Sequence, residues 1–211
     1  MIFGLRKLYA LYELDELLVK LPKLSGPKKL PVVLSKQEVK RLLLSASQLK
    51  ERVLFALIYD TGMRISEVLS LLIQDVDLDR AQIHIRLGKG KKDRYVTLSN
   101  HGVRGLKKYL ILHQPKDYVF ENVARKGIPL GSTTIRKRLK EMVTKAGIKK
   151  TVCVHTLRHT YATHQLESGQ NIVALQLALG HAFIQTTMIY LHIAQLQEKR
   201  MTGCLAYLYG E

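Results

Sequence analysis

Apolar side chains recur at helical spacing over most of the chain, and this pattern predicts a mainly helical protein. One helix is expected to begin at Ser35-Lys-Gln-Glu38, a capping box in which the serine hydroxyl and the glutamate carboxylate each accept from a free backbone N–H. The same spacing predicts further helices over residues 4–20, 50–59, 65–73, 99–113, 132–146, 156–168, 172–179, 186–193 and 195–208.

Alternation of apolar and polar side chains with period two occurs over residues 82–87 and predicts a β-strand. A polar Gly-Lys-Gly-Lys-Lys-Asp turn follows, and residues 94–98 predict a second strand, so the two are expected to form a hairpin. A short partner strand is expected near residues 75–79. The predicted fold class is therefore mainly α with a small antiparallel β-sheet (α+β).

Three prolines and a glycine between residues 22 and 31 interrupt the apolar pattern. Proline at this density ends helices, so this segment is predicted to be a linker. We therefore predict two parts: residues 1–34 as an N-terminal helix with a proline-rich linker, and residues 35–211 as a compact domain.

The charge balance makes a polyanion the expected partner. The 211 residues contain 34 Lys and Arg against 17 Asp and Glu, a net charge of +17, and much of this charge lies in Arg86–Lys108 and Arg125–Lys150. Nucleic acid is the first candidate and an anionic membrane surface the second. The longest apolar run, Val53–Tyr59, is too short to span a membrane.

Cys153 and Cys204 form neither a CxxC motif nor a disulfide framework, which predicts reduced thiols in a cytoplasmic protein.

Four fragments carry candidate chemistry. They are Thr61-Gly-Met-Arg64-Ile-Ser-Glu67, Gly88-Lys89-Gly-Lys91-Lys92-Asp-Arg94, His155-Thr-Leu-Arg158, and Leu179-Gly-His181 with Tyr190 nine residues later. Each fragment alone is a weak signal, but in this order and spacing the set resembles the tyrosine recombinase (phage integrase) family, with the Xer-type and integron-type members closest in appearance. The resemblance extends from about residue 30 to residue 192.

The resemblance implies a site-specific recombinase or integrase that acts on double-stranded DNA. Tyr190 would attack a DNA phosphate, form a covalent 3′-phosphotyrosine and release a 5′-hydroxyl, and a partner strand would then attack the ester. The energy of the broken bond is kept in this intermediate, so no ATP, metal or other cofactor is expected. Exchange would occur within a homotetramer assembled on DNA, whereas the free protein is expected to be a monomer without membrane contact.

Each predicted catalytic role agrees with the chemistry of its side chain. The planar guanidinium groups of Arg64 and Arg158 suit the non-bridging oxygens of a phosphorane, and His181 can add a third donor. By resemblance His155 is the acid/base acting on the tyrosine proton. Lys89 is the expected general acid for the 5′-oxygen, although its neighbours Lys91 and Lys92 could be mistaken for it.

Supporting roles are predicted for further residues. Glu67 is expected to hold Arg64 in place, and His159, one residue after Arg158, is expected to face away from the site and to be buried and hydrogen-bonded. Contacts with DNA phosphates are predicted for Lys91, Lys92, Arg94, Arg136, Lys137, Arg138 and Lys140.

Two alternatives remain open at this level. The two histidines of His155-Thr-Leu-Arg-His159 have zinc-ligand spacing, but the fragment lacks the glutamate that would activate water in a zincin. The chain could also be a non-catalytic DNA-binding protein or a truncated, inactive recombinase fragment, because family members usually carry a whole N-terminal helical domain.

The position of the helix predicted at 195–208 is also open. The resemblance implies that it docks on a neighbouring protomer, and the alternative is that it packs on its own domain.

Overall fold

The computed structural model describes residues 11–12, 30–86, 93–122 and 125–194. Outside the described residues lie the helix predicted at 195–208, the helix predicted at 4–20 except for residues 11–12, and the tip of the predicted hairpin with Lys89, Lys91 and Lys92. Helices make up most of the described part: α1 (Lys36–Leu44), α2 (Leu49–Thr61), α3 (Ile65–Leu69), α4 (Asn100–His113), α5 (Ser132–Lys145), α6 (Val154–Glu167), α7 (Ile172–Leu179) and α8 (Gln185–Met188).

The predicted hairpin and its partner strand are present as an antiparallel sheet, β1 (Val76–Asp77), β2 (Gln82–Ile85) and β3 (Arg94–Thr97), in that order. A second hairpin, β4 (Glu121–Asn122) with β5 (Arg125–Pro129), was not predicted. The sequence of β5, Arg-Lys-Gly-Ile-Pro, has no apolar alternation, so the pairing leaves little trace in the pattern.

The capping box at Ser35 is confirmed: its hydroxyl accepts from the Glu38 backbone, and the Glu38 carboxylate accepts from the Ser35 backbone at 2.7 Å. The prediction of one helix over 65–73 is wrong, because α3 ends at Leu69 and the backbone of residues 71–73 bonds instead to residues 117–119. The prediction of a helix over 186–193 is also too long. Only α8 is helical, and a series of turns continues to residue 194.

The core consists of two clusters, and α6 belongs to both of them. The larger cluster surrounds α2 and includes the fully buried Phe55 and Leu157. The smaller one packs Ala162 of α6 against Leu179 of α7 and against Tyr190. The two clusters therefore meet along α6 between Leu157 and Ala162, and this position brings Arg158 beside the end of α7.

Candidate active site

Helix α6 contributes three side chains to an open groove of about 800 Å³, namely His155, Arg158 and His159. The prediction that His159 faces away from the site is wrong. Residues four apart lie on the same face of a helix, and the rings of His155 and His159 are 6.2 Å apart. Burial, followed by nearby positive charge, lowers the pKa of both histidines, so both rings are neutral at pH 7.

Arg158 is the most buried cation of the groove, with 3% of its surface exposed. Its guanidinium donates to the carbonyl oxygens of Gly62 at 2.5 Å and Leu179 at 2.6 Å, and the second nitrogen lies 3.2 Å from His181 Nε2. Burial and the charge of Arg64 lower the pKa of Arg158 to about 10, which still leaves it charged at pH 7. The carbonyl oxygens offset part of the cost of removing this charge from water.

Arg64 is the N-cap residue of α3 and is joined to Glu67 in two ways. The Glu67 carboxylate accepts from the Arg64 backbone N–H at 2.7 Å and from its guanidinium at 2.8 Å. The other terminal nitrogen of Arg64 lies 3.4 Å from the Gly180 carbonyl oxygen. Burial raises the pKa of Glu67, but hydrogen bonds from Arg94 and Arg64 outweigh burial and hold the pKa below its usual value. Glu67 is therefore ionised and paired with Arg64, and its role in holding Arg64 in place stays a prediction.

Tyr190 lies at the inner wall of the groove and is 2% exposed. A hydrogen bond of 3.0 Å joins its hydroxyl to His159 Nδ1, so the histidine in contact with the candidate nucleophile is His159 rather than the predicted His155. Burial raises the pKa of Tyr190, and the charges of Arg158 and Arg64 oppose this shift. The phenol is consequently protonated at pH 7 and needs a proton acceptor before it can attack.

His181 follows Gly180, which ends α7 in the left-handed conformation at φ +62°. Its Nδ1 shares a hydrogen bond of 2.9 Å with the buried Thr187 hydroxyl, and its Nε2 is the atom near Arg158. The imidazole is thus held from both sides, which orients Nε2 toward the arginine side of the groove.

The last carbonyl oxygens of α7 form a row that contacts three guanidinium groups. Ala178 accepts from Arg94 Nε at 2.9 Å, Leu179 accepts from Arg158, and Gly180 lies near Arg64. Helix ends leave such carbonyls without backbone partners, and the negative end of the helix dipole favours cations.

Arg94 was predicted to contact DNA, and the structure shows contacts of its side chain within the protein. The side chain is only 11% exposed and donates to both Glu67 oxygens, at 3.0 and 2.8 Å, as well as to Ala178. Every nitrogen of this guanidinium therefore has a partner within the protein, and the contact with DNA stays a prediction.

The other predicted DNA contacts among the described residues lie on α5. Arg136, Lys137 and Lys140 are exposed, and the charge of Arg136 contributes to the lowered pKa of His155. Arg138 differs from them, because it pairs with Glu51 at 3.2 Å and with Glu141 at 2.9 Å. Its charge is therefore partly neutralised within the protein.

Within the described ranges, no group of three His, Cys, Asp or Glu side chains is arranged to hold a metal ion. His155 and His159 lie side by side without a third such ligand in this part of the chain. Of the helices described here, none has the length and apolarity needed to cross a bilayer.

Sequence reasoning named His159 and Arg94 but missed their contacts within the site, and it did not name Thr187. The i, i+4 spacing of His155 and His159 was a usable signal for the first. The contacts of Arg94 with Glu67 and of Thr187 with His181 join residues from different elements, so no local pattern in the sequence predicts these contacts.

Comparison with known proteins identifies similar chains. The sequence profile of the phage integrase family matches residues 32–197. The chain is 41% identical over 175 residues to a tyrosine recombinase of Thermosipho africanus, covering 82% of this chain and 60% of the relative's length. It also resembles the crystal structure of XerA recombinase, with a TM-score of 0.72, 34% identity, and coverage of 99% of this chain and 73% of the other.

A third similar structure is the XerH site-specific recombinase bound to its palindromic difH substrate in a post-cleavage complex. The TM-score is 0.72 at 30% identity, with 84% of this chain and 56% of that chain covered.

Proposed function

This chain belongs to the phage integrase family of tyrosine recombinases, and from that premise we propose that it is the catalytic part of a site-specific DNA recombinase. The reaction cleaves and rejoins DNA strands through a covalent 3′-phosphotyrosine on Tyr190. The observation that carries the proposal is the convergence of two arginines, three histidines and this tyrosine on one groove.

Charge stabilisation is the first task of such a site. Attack on a phosphodiester produces a phosphorane with added negative charge on its non-bridging oxygens. Arg64 and Arg158 reach the groove from separate elements, and the planar fork of a guanidinium suits each of them to bind the two oxygens. His181 lies beside them, and in this structure its Nε2 accepts from the Arg158 guanidinium at 3.2 Å. With a proton on Nε2, the same imidazole would supply a further donor to the phosphate.

Proton transfer is the second task. The Tyr190 proton passes first to His159, which is neutral and within hydrogen-bond distance. His155, beside His159 and exposed, connects this pair to the phosphate and to solvent. The leaving 5′-oxygen takes its proton from Lys89, as the family resemblance implies.

Partners and assembly follow from the same proposal. The exposed cations of α5 bind DNA phosphates, and the protein works in the cytoplasm, where its DNA substrate is found. A homotetramer assembles on DNA from monomers, because neutralising a net charge of +17 removes the repulsion between protomers.

Trapping the covalent complex tests the proposal. The chain is incubated with a pool of nicked duplexes of random sequence, so that the short fragment released by cleavage diffuses away and religation fails. The expected result is DNA linked to Tyr190, in the presence of EDTA as well, and none with Tyr190→Phe. Tight DNA binding without any covalent product would overturn the proposal and favour a non-catalytic DNA-binding protein. Sequencing the linked DNA identifies the duplex for later experiments.

A further inference from the structure

The Glu67 carboxylate, only 8% exposed, accepts from two arginines at once. Arg64 supplies its backbone N–H and one guanidinium nitrogen, while Arg94 supplies two guanidinium nitrogens in a fork. A shared carboxylate of this kind leaves the second terminal nitrogen of Arg64 free of Glu67. That nitrogen points toward the Gly180 carbonyl and the groove.

Arg94 also contacts the end of α7. Its Nε donates to Ala178, and its guanidinium lies against Gly180, where a built Cβ would come within 3.0 to 3.2 Å of three guanidinium atoms. Gly180 immediately precedes His181, so Arg94 links the element that carries Arg64 to the element that carries His181. The link begins at the first residue of β3, which the pairing of Ile85 with Arg94 holds in the sheet.

Resting on the proposed function, we propose that Arg94 is a positioning residue: it occupies Glu67 and the end of α7 so that Arg64 and His181 are presented together to the scissile phosphate. Without Arg94, two acceptor positions on a buried carboxylate lose their donors. Arg64 is then drawn into a two-nitrogen pair with Glu67, since such a pair satisfies both oxygens. Its guanidinium turns away from the groove, and α7 loses one of the contacts that hold His181.

Substitution of Arg94 distinguishes this role from a phosphate contact. At saturating DNA, Arg94→Ala should slow single-turnover cleavage by about 10- to 100-fold. This is the range found in metalloenzymes when a side chain that orients a metal ligand is replaced. DNA affinity and its salt dependence should stay at the wild-type values. Arg80→Ala is the control, since it removes one positive charge from the turn between β1 and β2, where the side chain is 81% exposed.

A second variant of Arg94 and a modified substrate provide two further tests. Arg94→Lys keeps the charge but lacks the planar fork, so it should recover little of the rate, whereas a simple phosphate contact would be largely restored. A methylphosphonate at the scissile position, which carries no negative charge, needs less stabilisation by Arg64. The defect of Arg94→Ala should therefore shrink on this substrate, as should that of Arg64→Ala.

A readout without catalysis keeps the inference separate from the proposed function. The imidazole nitrogen signals of His181, observed by NMR, should shift in Arg94→Ala and stay in place in Arg80→Ala. Unchanged His181 signals, wild-type cleavage by Arg94→Ala, or full rescue by lysine would each overturn the positioning role. A wild-type chain that fails to cleave would overturn the proposed function, while the His181 signals would still decide whether Arg94 positions this residue.

Discussion

The Tyr190 hydroxyl and His159 Nδ1 are joined by a hydrogen bond of 3.0 Å, across 31 positions of the sequence. Helix α6 carries the histidine of a second pair of the same kind, in which His164 Nδ1 lies 2.9 Å from the hydroxyl of Tyr59, a residue of α2 outside the groove. In the described part of the chain, two histidines of α6 thus each contact a tyrosine from another segment, and one of these tyrosines is the candidate nucleophile.

This duplication gives a controlled test of His159. His159→Leu should lower the cleavage rate about 10²- to 10⁴-fold at saturating DNA, because the phenol loses both its orientation and its nearest proton acceptor. His159→Asn should recover part of the rate, since its amide can occupy the Nδ1 position. His164→Leu, the matched control, should cleave like the wild type. Equal rates for the two leucine variants would show that the Tyr190 contact is not used.

The pH dependence of cleavage should reflect the lowered pKa of His155 and His159. A neutral imidazole is required to accept a proton, and each ring stays neutral until the pH falls below the ordinary histidine value of about 6.5. The single-turnover rate should therefore be level near pH 7 and decline only below about pH 6.5.

A charge variant tests the cause of that shift. Arg136→Ala removes one of the positive charges that lower the pKa of His155, so the decline should move to higher pH. The measurement is the rate at saturating DNA across the pH range for both proteins. A wild-type rate that already falls above pH 7 would contradict the neutral-histidine interpretation.

Stability should respond to pH in the same direction. The lowered histidine pKa values mean that the unfolded chain binds more protons than the folded chain just below pH 6.5. The free energy of unfolding should therefore fall as the pH drops from about 7 to 5, measured by urea denaturation. A flat profile over this interval would mean that burial does not shift these groups.

Gly62 should be irreplaceable for two separate reasons. It adopts φ +67°, and a Cβ at this position would collide with the Tyr161 ring. Gly147 provides the matched control, because it has φ +64° and no atom within 4 Å of a built Cβ. Gly147→Ala should cost about 1–2 kcal/mol of unfolding free energy from backbone strain alone.

Gly62→Ala should cost more than this and should also reduce cleavage, because the Gly62 carbonyl accepts from Arg158. Thermal unfolding and cleavage at saturating DNA are measured for both variants. Similar stability and activity in the two would show that the close approach of Tyr161 to Gly62 has no consequence.

DNA binding should depend steeply on salt if the exposed cations of α5 contact phosphates. For six to ten contacts the affinity is expected to fall by about 10³-fold or more between 50 and 200 mM salt. Lys137→Ala combined with Lys140→Ala should reduce the slope of log affinity against log salt by about 0.9 for each lost contact. Arg138→Ala should change the slope less, because Glu51 and Glu141 already neutralise this side chain. Equal slopes for all these proteins would exclude α5 from the interface.

The sequence alone determined the elements and the chemistry of the residues. Helical spacing predicted both ends of α2, α4, α5, α6 and α7 within two residues, and the capping box predicted the start of α1, since amphipathic periodicity and capping are local properties. Candidate residues such as Arg64, Arg158 and Tyr190 could be recognised because their motifs are contiguous. The expectation for α3 failed where backbone groups of residues 71–73 found partners more than forty positions away.

Only the tertiary structure decided how these residues meet. Packing of Tyr190 into the smaller core cluster brings its hydroxyl to His159 instead of His155. Folding of β3 against α7 makes Arg94 a partner of Glu67. The physical reason is common to both cases. A charged or hydroxyl side chain that becomes buried must find its hydrogen-bond partner among whatever groups the fold brings within about 3 Å, and those groups come from distant parts of the chain.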